Sequence, residues 1–192
     1  MVQNIYKNML KASNKIAAAS FLNNELTFIE NILSGLKSRM TVVVVGCHDG
    51  MYYENIKKLR FNYIGIDPYI NSQRNPHILR MSFETYAKKR REINKNKSVF
   101  VFWFNVLSHI DISVINDCFI GGDIIINSLW GNKEADINVR DEYYSAFNDK
   151  SQQYQTVFQA AKKSYSLNNI DMKFKTIDCF YNSPNYFEVA YI

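Results

Sequence analysis

The apolar positions change texture once along the chain. Up to about residue 38 they recur at helical spacing. Residues 4–19 and 24–38 predict two helices, and the second places Leu26, Ile29, Leu33 and Leu36 on one face. From Val42 the pattern turns to short apolar blocks. Val42–Val45 is a β-branched run without polar alternation, as expected of a strand buried on both faces. Residues 61–67 (FNYIGID) and 98–107 (SVFVFWFNVL) read the same way, as do 123–129 (DIIINSL), while 77–81 (HILRM) is a weaker strand. Helical segments separate them at about 51–60, 82–96 and 110–119, the last closed by Gly121-Gly122. A long helix is expected over about 140–165. Residues 171–180 and 185–192 alternate around the sequence YNSP and predict a terminal hairpin.

Five strands separated by helices imply a parallel sheet covered on both faces. The hairpin adds strands of which at least one runs antiparallel. The chain of 192 residues is expected to form one unit: residues 1–39 are a helical N-terminal cap and 40–192 the core. An apolar content of 47% with 7 glycines and 3 prolines excludes disorder and fibrous repeats. No apolar run is long enough to cross a membrane, and the polar N-terminus is not a signal peptide. Cys47, Cys118 and Cys179 are odd in number and widely spaced, which fits a reducing, cytoplasmic setting and no zinc site. The net charge of +5 permits an acidic partner without requiring one. The basic outer face of residues 82–96, with Lys88, Lys89, Arg90 and Arg91, is expected to be solvated.

In an open α/β sheet, ligands bind beyond the carboxyl ends of the strands. The positions that matter are therefore those following each strand. Gly46-Cys47-His48-Asp49-Gly50 follows the first, and its two glycines remove side chains where a ligand could press on the backbone. Asp67-Pro68 follows the second, where an acceptor-only carboxylate suits two ribose hydroxyls. Ser82, Phe83 and Glu84 follow the third, with Phe83 or Met81 a candidate cover for a flat base. Asn105 to His109 follow the fourth, and Trp130 closes the fifth. Together they describe a pocket for an adenosine-like group. Cys47 is expected to pack behind the loop, since nothing in the sequence supplies a partner base.

This order of motifs resembles the class I S-adenosylmethionine-dependent methyltransferases. VVVVGCHDG matches the glycine-rich first motif and YIGIDPY the ribose-binding acid. FVFWFNVLSHID matches the fourth-strand motif and IGGDIIINS the glycine turn and fifth strand. The likeness covers roughly residues 40–192. It implies a Rossmann-like three-layer sandwich: a seven-stranded, mostly parallel sheet ending in an antiparallel hairpin, with N-terminal helices. It also implies S-adenosylmethionine as cofactor, held by Gly46, Cys47, His48, Asp49, Gly50, Asp67, Pro68, Ser82, Phe83 and Asn105. His109 and Glu84 are then the candidate general bases. Trp130 and Tyr53 are candidate substrate contacts, and residues 131–142 form a wall or lid. Val44 stands where such proteins usually carry an acid, and His48 replaces the middle glycine; Asp49, in the same loop, can substitute for that acid. The methyl acceptor is expected to be a small molecule or RNA, with no membrane partner. Two other readings stay open: a catalytically inactive methyltransferase-like binding subunit, and an RNA cap methyltransferase. A nicotinamide dehydrogenase would need G-x-G-x-x-G, which Gly46 to Gly50 does not supply.

Overall fold

The computed structural model describes residues 16–37, 39–70, 75–111, 113, 118–145, 152–170 and 176–192. The elements are α1 (Ile16–Ser34), β1 (Thr41–Val45), α2 (Tyr53–Lys58), β2 (Asn62–Ile66), β3 (Ile78–Leu79) and α3 (Phe83–Ile93). They continue with β4 (Ser98–Phe102), β5 (Ile124–Trp130), α4 (Glu134–Ser145), α5 (Gln152–Lys163), β6 (Thr176–Asn182) and β7 (Asn185–Tyr191). The sheet has seven strands in the order β3-β2-β1-β4-β5-β7-β6. β1 to β5 pair in parallel, and β7 is inserted antiparallel between β5 and β6. This is the expected mostly parallel sheet with a terminal antiparallel hairpin.

The all-apolar strands are explained by two covered faces. Along β1, Val42 and Val44 join one core cluster while Val43 and Val45 join the other. On β4, Val99 and Val101 point to the first layer, Phe100 and Phe102 to the second. Every β1 and β4 residue is buried, so each position along these strands is apolar or capped. The hairpin behaves differently. β7 is buried and β6 is an exposed edge strand, with Phe180 and Tyr181 open to solvent.

The expected helices at the amino end and over 140–165 differ. α1 runs unbroken from residue 16 to 34, because Phe21, Glu25, Ile29 and Leu33 form a continuous i, i+4 row that is buried throughout. Leu26 and Leu36 flank that row, partly buried. The rest of the first expected helix, residues 4–15, lies outside the described residues. The long helix expected over 140–165 is instead α4 and α5, with 146–151 outside the described residues. After β4, a 3-10 turn at Val106–His109 precedes the segment expected to be a helix over 110–119, most of which also lies outside them.

The basic face of α3 is interrupted. Lys88, Lys89 and Arg91 are exposed, but Arg90 is buried. Its guanidinium makes a bidentate pair with Asp123 and donates to the Cys118 and Asn96 carbonyls. Asp123 also accepts from the Ser98 and Ile120 amides. The pair pins α3 to the amino ends of β4 and β5, which is why one cation of the run turns inward.

Candidate functional site

The strand order reverses between β1 and β4, which puts a switch-point crevice at their carboxyl ends. The loop leaving β1 forms its floor. Gly46 and Cys47 both donate to the Ile66 carbonyl at the end of β2, at 2.7 and 3.2 Å. Gly46, His48, Gly50 and Tyr52 all have positive φ, so the chain curls tightly before α2 begins. Asp67 clamps this loop. One carboxylate oxygen accepts from the His48 amide at 3.0 Å and the other from the Tyr69 amide at 2.8 Å. Asp67 is 8% exposed, yet two neutral donors leave each oxygen a second lone pair. The His48 ring faces Asp49, with Nδ1 3.0 Å from its carboxylate.

The glycines serve the protein's own packing. A Cβ on Gly46 would lie 2.7 Å from Val106 Cγ2 and 3.3 Å from the Trp103 indole nitrogen, which donates to the Gly46 carbonyl. A Cβ on Gly50 would meet Asn75 and Ile78. The expectation that these glycines open space for a ligand is therefore corrected: the turn after β4 and the approach to β3 fill it. Gly65 in β2 is a third case, for its missing side chain admits Cys47 Sγ and the Tyr63 ring. Cys47 packs behind the loop as expected, and burial pushes its thiol up to about 12.

The residue that sequence reasoning missed is Glu25. It lies on the buried row of α1 and is 0% exposed. One oxygen accepts from the Tyr52 hydroxyl at 2.6 Å, at the end of the β1 loop. The other accepts from the Phe104 amide at 2.7 Å, just past β4. The Ser128 hydroxyl faces the same carboxyl without closing a well-formed hydrogen bond. Burial raises this carboxyl from 4.5 to about 7, against the lowering effect of its donors. A signal was present: an acid four residues from both Phe21 and Ile29, on the most apolar face of its helix. Next to it stands an aromatic wall. Phe21 packs on Phe104 and Trp130 with ring centroids 5.0 and 4.4 Å away, and Phe104 on Tyr143 at 5.4 Å.

No protein-family model matches the chain, and no curated protein matches it in sequence. Solved structures do. The plantazolicin methyltransferase BpumL, in complex with a monoazolic desmethylPZN analog and SAH, matches 97% of this chain and 90% of its own, with TM-score 0.53 and 10% identity. A candidate S-adenosyl-L-methionine-dependent methyltransferase from Methanococcus maripaludis covers 98% and 92%, with TM-score 0.50 and 15% identity. The CurJ carbon methyltransferase matches 98% of this chain over 58% of its own, with TM-score 0.51 and 12% identity. The chain has the class I methyltransferase fold.

Within that fold the other expected site residues divide. Gly46, Cys47, His48, Asp49, Gly50, Asp67 and Asn105 gather around the switch-point crevice. Asn105, at φ 60°, donates its amide to the Ser128 carbonyl and accepts from the Ser108 hydroxyl, so its side chain braces the turn after β4. Pro68 is exposed beside Asp67. Ser82 caps α3 by accepting from the Thr85 amide. Phe83 is buried in the core against Phe102 and Phe100 and is not available to cover a base. Glu84 accepts from the Asp111 amide at 3.0 Å and ties α3 to the turn after β4. His109 ends that turn, and burial lowers its imidazole from 6.5 to about 4, which makes it a weak proton acceptor at neutral pH. Trp130, expected as a substrate contact, is 1% exposed with Phe21, Tyr143 and Tyr144 packed on it, so it is core and not available to a substrate. Tyr53 stacks on His77 and meets the Tyr63 ring edge-on. Among the described residues no helix is long and apolar enough to cross a membrane, and no cluster has the make-up of a metal site.

Proposed function

We propose that the chain is a methyltransferase that uses S-adenosylmethionine, bound over the loop between β1 and α2. The observation that carries this is the pair of buried carboxyl groups on either side of the switch-point crevice. Asp67 ends β2 and Glu25 is bonded to the residue after β4. β2 and β4 are the two neighbours of β1, so the acids stand about two strand spacings apart, on the order of 10 Å. That span suits a ligand with a diol at one end and a positive charge at the other. The free lone pairs of Asp67 fit a ribose, and Glu25 is a buried acid with no cationic partner among the described residues.

When bound, the cofactor supplies an electrophilic methyl group on a sulfonium sulfur. The chain's part is to hold the two reactants in line and exclude water. Phe21, Phe104, Trp130, Tyr143 and Tyr144 back the side of the crevice next to Glu25, and all but Phe104 are buried, so they support an acceptor pocket rather than line it. We infer a small organic acceptor there rather than RNA. The exposed Lys88, Lys89 and Arg91 lie on α3, apart from this wall.

A binding-only subunit is the second reading, and one observation favours it: the space in front of Gly46 is taken by Val106 and Trp103. Isothermal calorimetry with S-adenosylmethionine and S-adenosylhomocysteine separates the two. The methyltransferase reading expects saturable binding of both by the wild type, weakened about 10- to 100-fold in Asp67→Ala, the range for hydrogen bonds to a charged group. No binding of either ligand would leave only the binding-subunit reading.

A further inference from the structure

We propose that Glu25 is the counter-charge for the sulfonium of the bound cofactor, so that the site prefers S-adenosylmethionine to its neutral thioether product. The inference rests on the proposed methyltransferase reading and adds a residue that reads the ligand's charge.

The argument begins with what a buried acid needs. An ionised carboxylate taken out of water must be paired, or it gives up its charge. Arg90 and Asp123 show the paired solution elsewhere in this chain. Glu25 is as deeply buried, and its bonded partners are a phenol and a backbone amide, both neutral. The charge it lacks has to come from outside the described side chains or not at all. Its position says what would bring it. The Tyr52 bond ties it to the end of the β1 loop and the Phe104 bond to the end of β4, so it lies fully buried behind the strand ends that form the crevice, on the side opposite Asp67. A ligand whose sugar is held by Asp67 extends its charged end toward Glu25. The rings beside it, Phe104 and Phe21, also tolerate a cation on their faces.

Two consequences are measurable. The first is ligand discrimination. S-adenosylmethionine carries one positive charge more than S-adenosylhomocysteine and is otherwise almost identical. A carboxylate within several ångströms in a partly dry site favours the sulfonium on the order of tenfold or more. The second is proton linkage. Burial holds the Glu25 carboxyl near neutrality, so a cation that stabilises its charged form expels a proton on binding. Among the described residues Tyr52 is the one titratable side chain hydrogen-bonded to it, and burial beside Glu25 raises that phenol far above the neutral range. The Ser128 hydroxyl and Phe104 amide do not titrate. His48 and Asp49 also lie in the crevice loop, so the part of the proton release that belongs to Glu25 is the part lost in Glu25→Gln.

The test is calorimetry of both ligands on wild type and Glu25→Gln, in buffers of different ionisation enthalpy at pH 6.5. The wild type should bind S-adenosylmethionine with release of about half a proton more than S-adenosylhomocysteine. Glu25→Gln, which keeps the shape, should lose that excess and most of the preference. The wild-type measurement stands alone if the variant does not fold. Equal proton release for the two ligands, or an unchanged preference in Glu25→Gln, overturns the inference and leaves the cofactor assignment standing. Failure of both ligands to bind wild type overturns the assignment as well.

Discussion

Replacing Glu25 with glutamine should reshape the pH dependence of stability within a defined window. In the folded chain Glu25 titrates at about 7 instead of 4.5. Between those values the folded state holds a proton that the unfolded state has released, so stability falls as pH rises. The slope is about 1.4 kcal/mol per pH unit, and the total over the window is about 3 kcal/mol. His109 works in the opposite sense. Its folded value is about 4 against 6.5, so between these the unfolded state takes up a proton that the folded state refuses. Its contribution, again about 3 kcal/mol, is present above pH 6.5 and lost as pH falls to 4. The two windows overlap from 4.5 to 6.5, where their slopes cancel. The wild type should accordingly show little pH dependence there.

Glu25→Gln removes one arm of that balance. Denaturant midpoints measured at pH 4.5, 5.5, 6.5 and 7.5 give the difference between variant and wild type, in which other titrating groups cancel. That difference should grow in favour of the variant by about 3 kcal/mol from pH 4.5 to 7 and stay level beyond. Any fixed cost of altering the bonds to Tyr52 and Phe104 shifts the whole curve and leaves its slope untouched. His109→Asn should give the mirror image, losing the acid-side penalty. A difference curve for Glu25→Gln that stays flat to within about 1 kcal/mol would refute the claim that this carboxyl is buried without a counter-charge in the ligand-free protein.

Two further substitutions probe the frame around the site. Asp123→Asn should cost about 3–5 kcal/mol by denaturation, since it leaves the Arg90 guanidinium buried without its anion, and Arg90→Met/Asp123→Leu should cost less than the sum of its single changes. Gly131→Ala should cost about 1–3 kcal/mol in thermal denaturation, because the new Cβ overlaps the Asp136 carboxylate that binds Tyr181 and Ser183; Gly121→Ala, with nothing within 4 Å, is the near-neutral control.

The sheet was legible because two-sided burial leaves a mark on every residue of a strand. Val42–Val45 and Ile124–Ile126 have no polar position to confuse the pattern, and turn residues bound them. The place of Asp67 at a strand end was legible for a related reason, but its clamp on the His48 and Tyr69 amides was not. Helical polar residues carry a weaker mark, at most an acid on an apolar stripe as at Glu25. Arg90 sits in a run of four cations, and only its partner Asp123, 33 residues away, distinguishes it from Lys88, Lys89 and Arg91. The glycines were legible as turn residues but not in purpose, since Val106 and Trp103 reach Gly46 from a different strand.

Glu25 shows the same limit beside the switch-point crevice. The sequence has Val44 where the resembling proteins usually carry an acid, and Asp49 is the nearest acid in the same loop. The fold brings an acid from elsewhere. The row of Phe21, Glu25, Ile29 and Leu33 lays α1 against the first core layer, and its second member lands where β1 and β4 diverge. The carboxyl contacts residues 27 and 79 positions away, at Tyr52 and Phe104. No motif spacing connects such positions; helix packing does. A glutamate on an apolar stripe costs stability unless something meets its charge. Keeping it there, directly beside a switch-point crevice, is the reason to look for a cationic ligand at that end before any nucleophile or base.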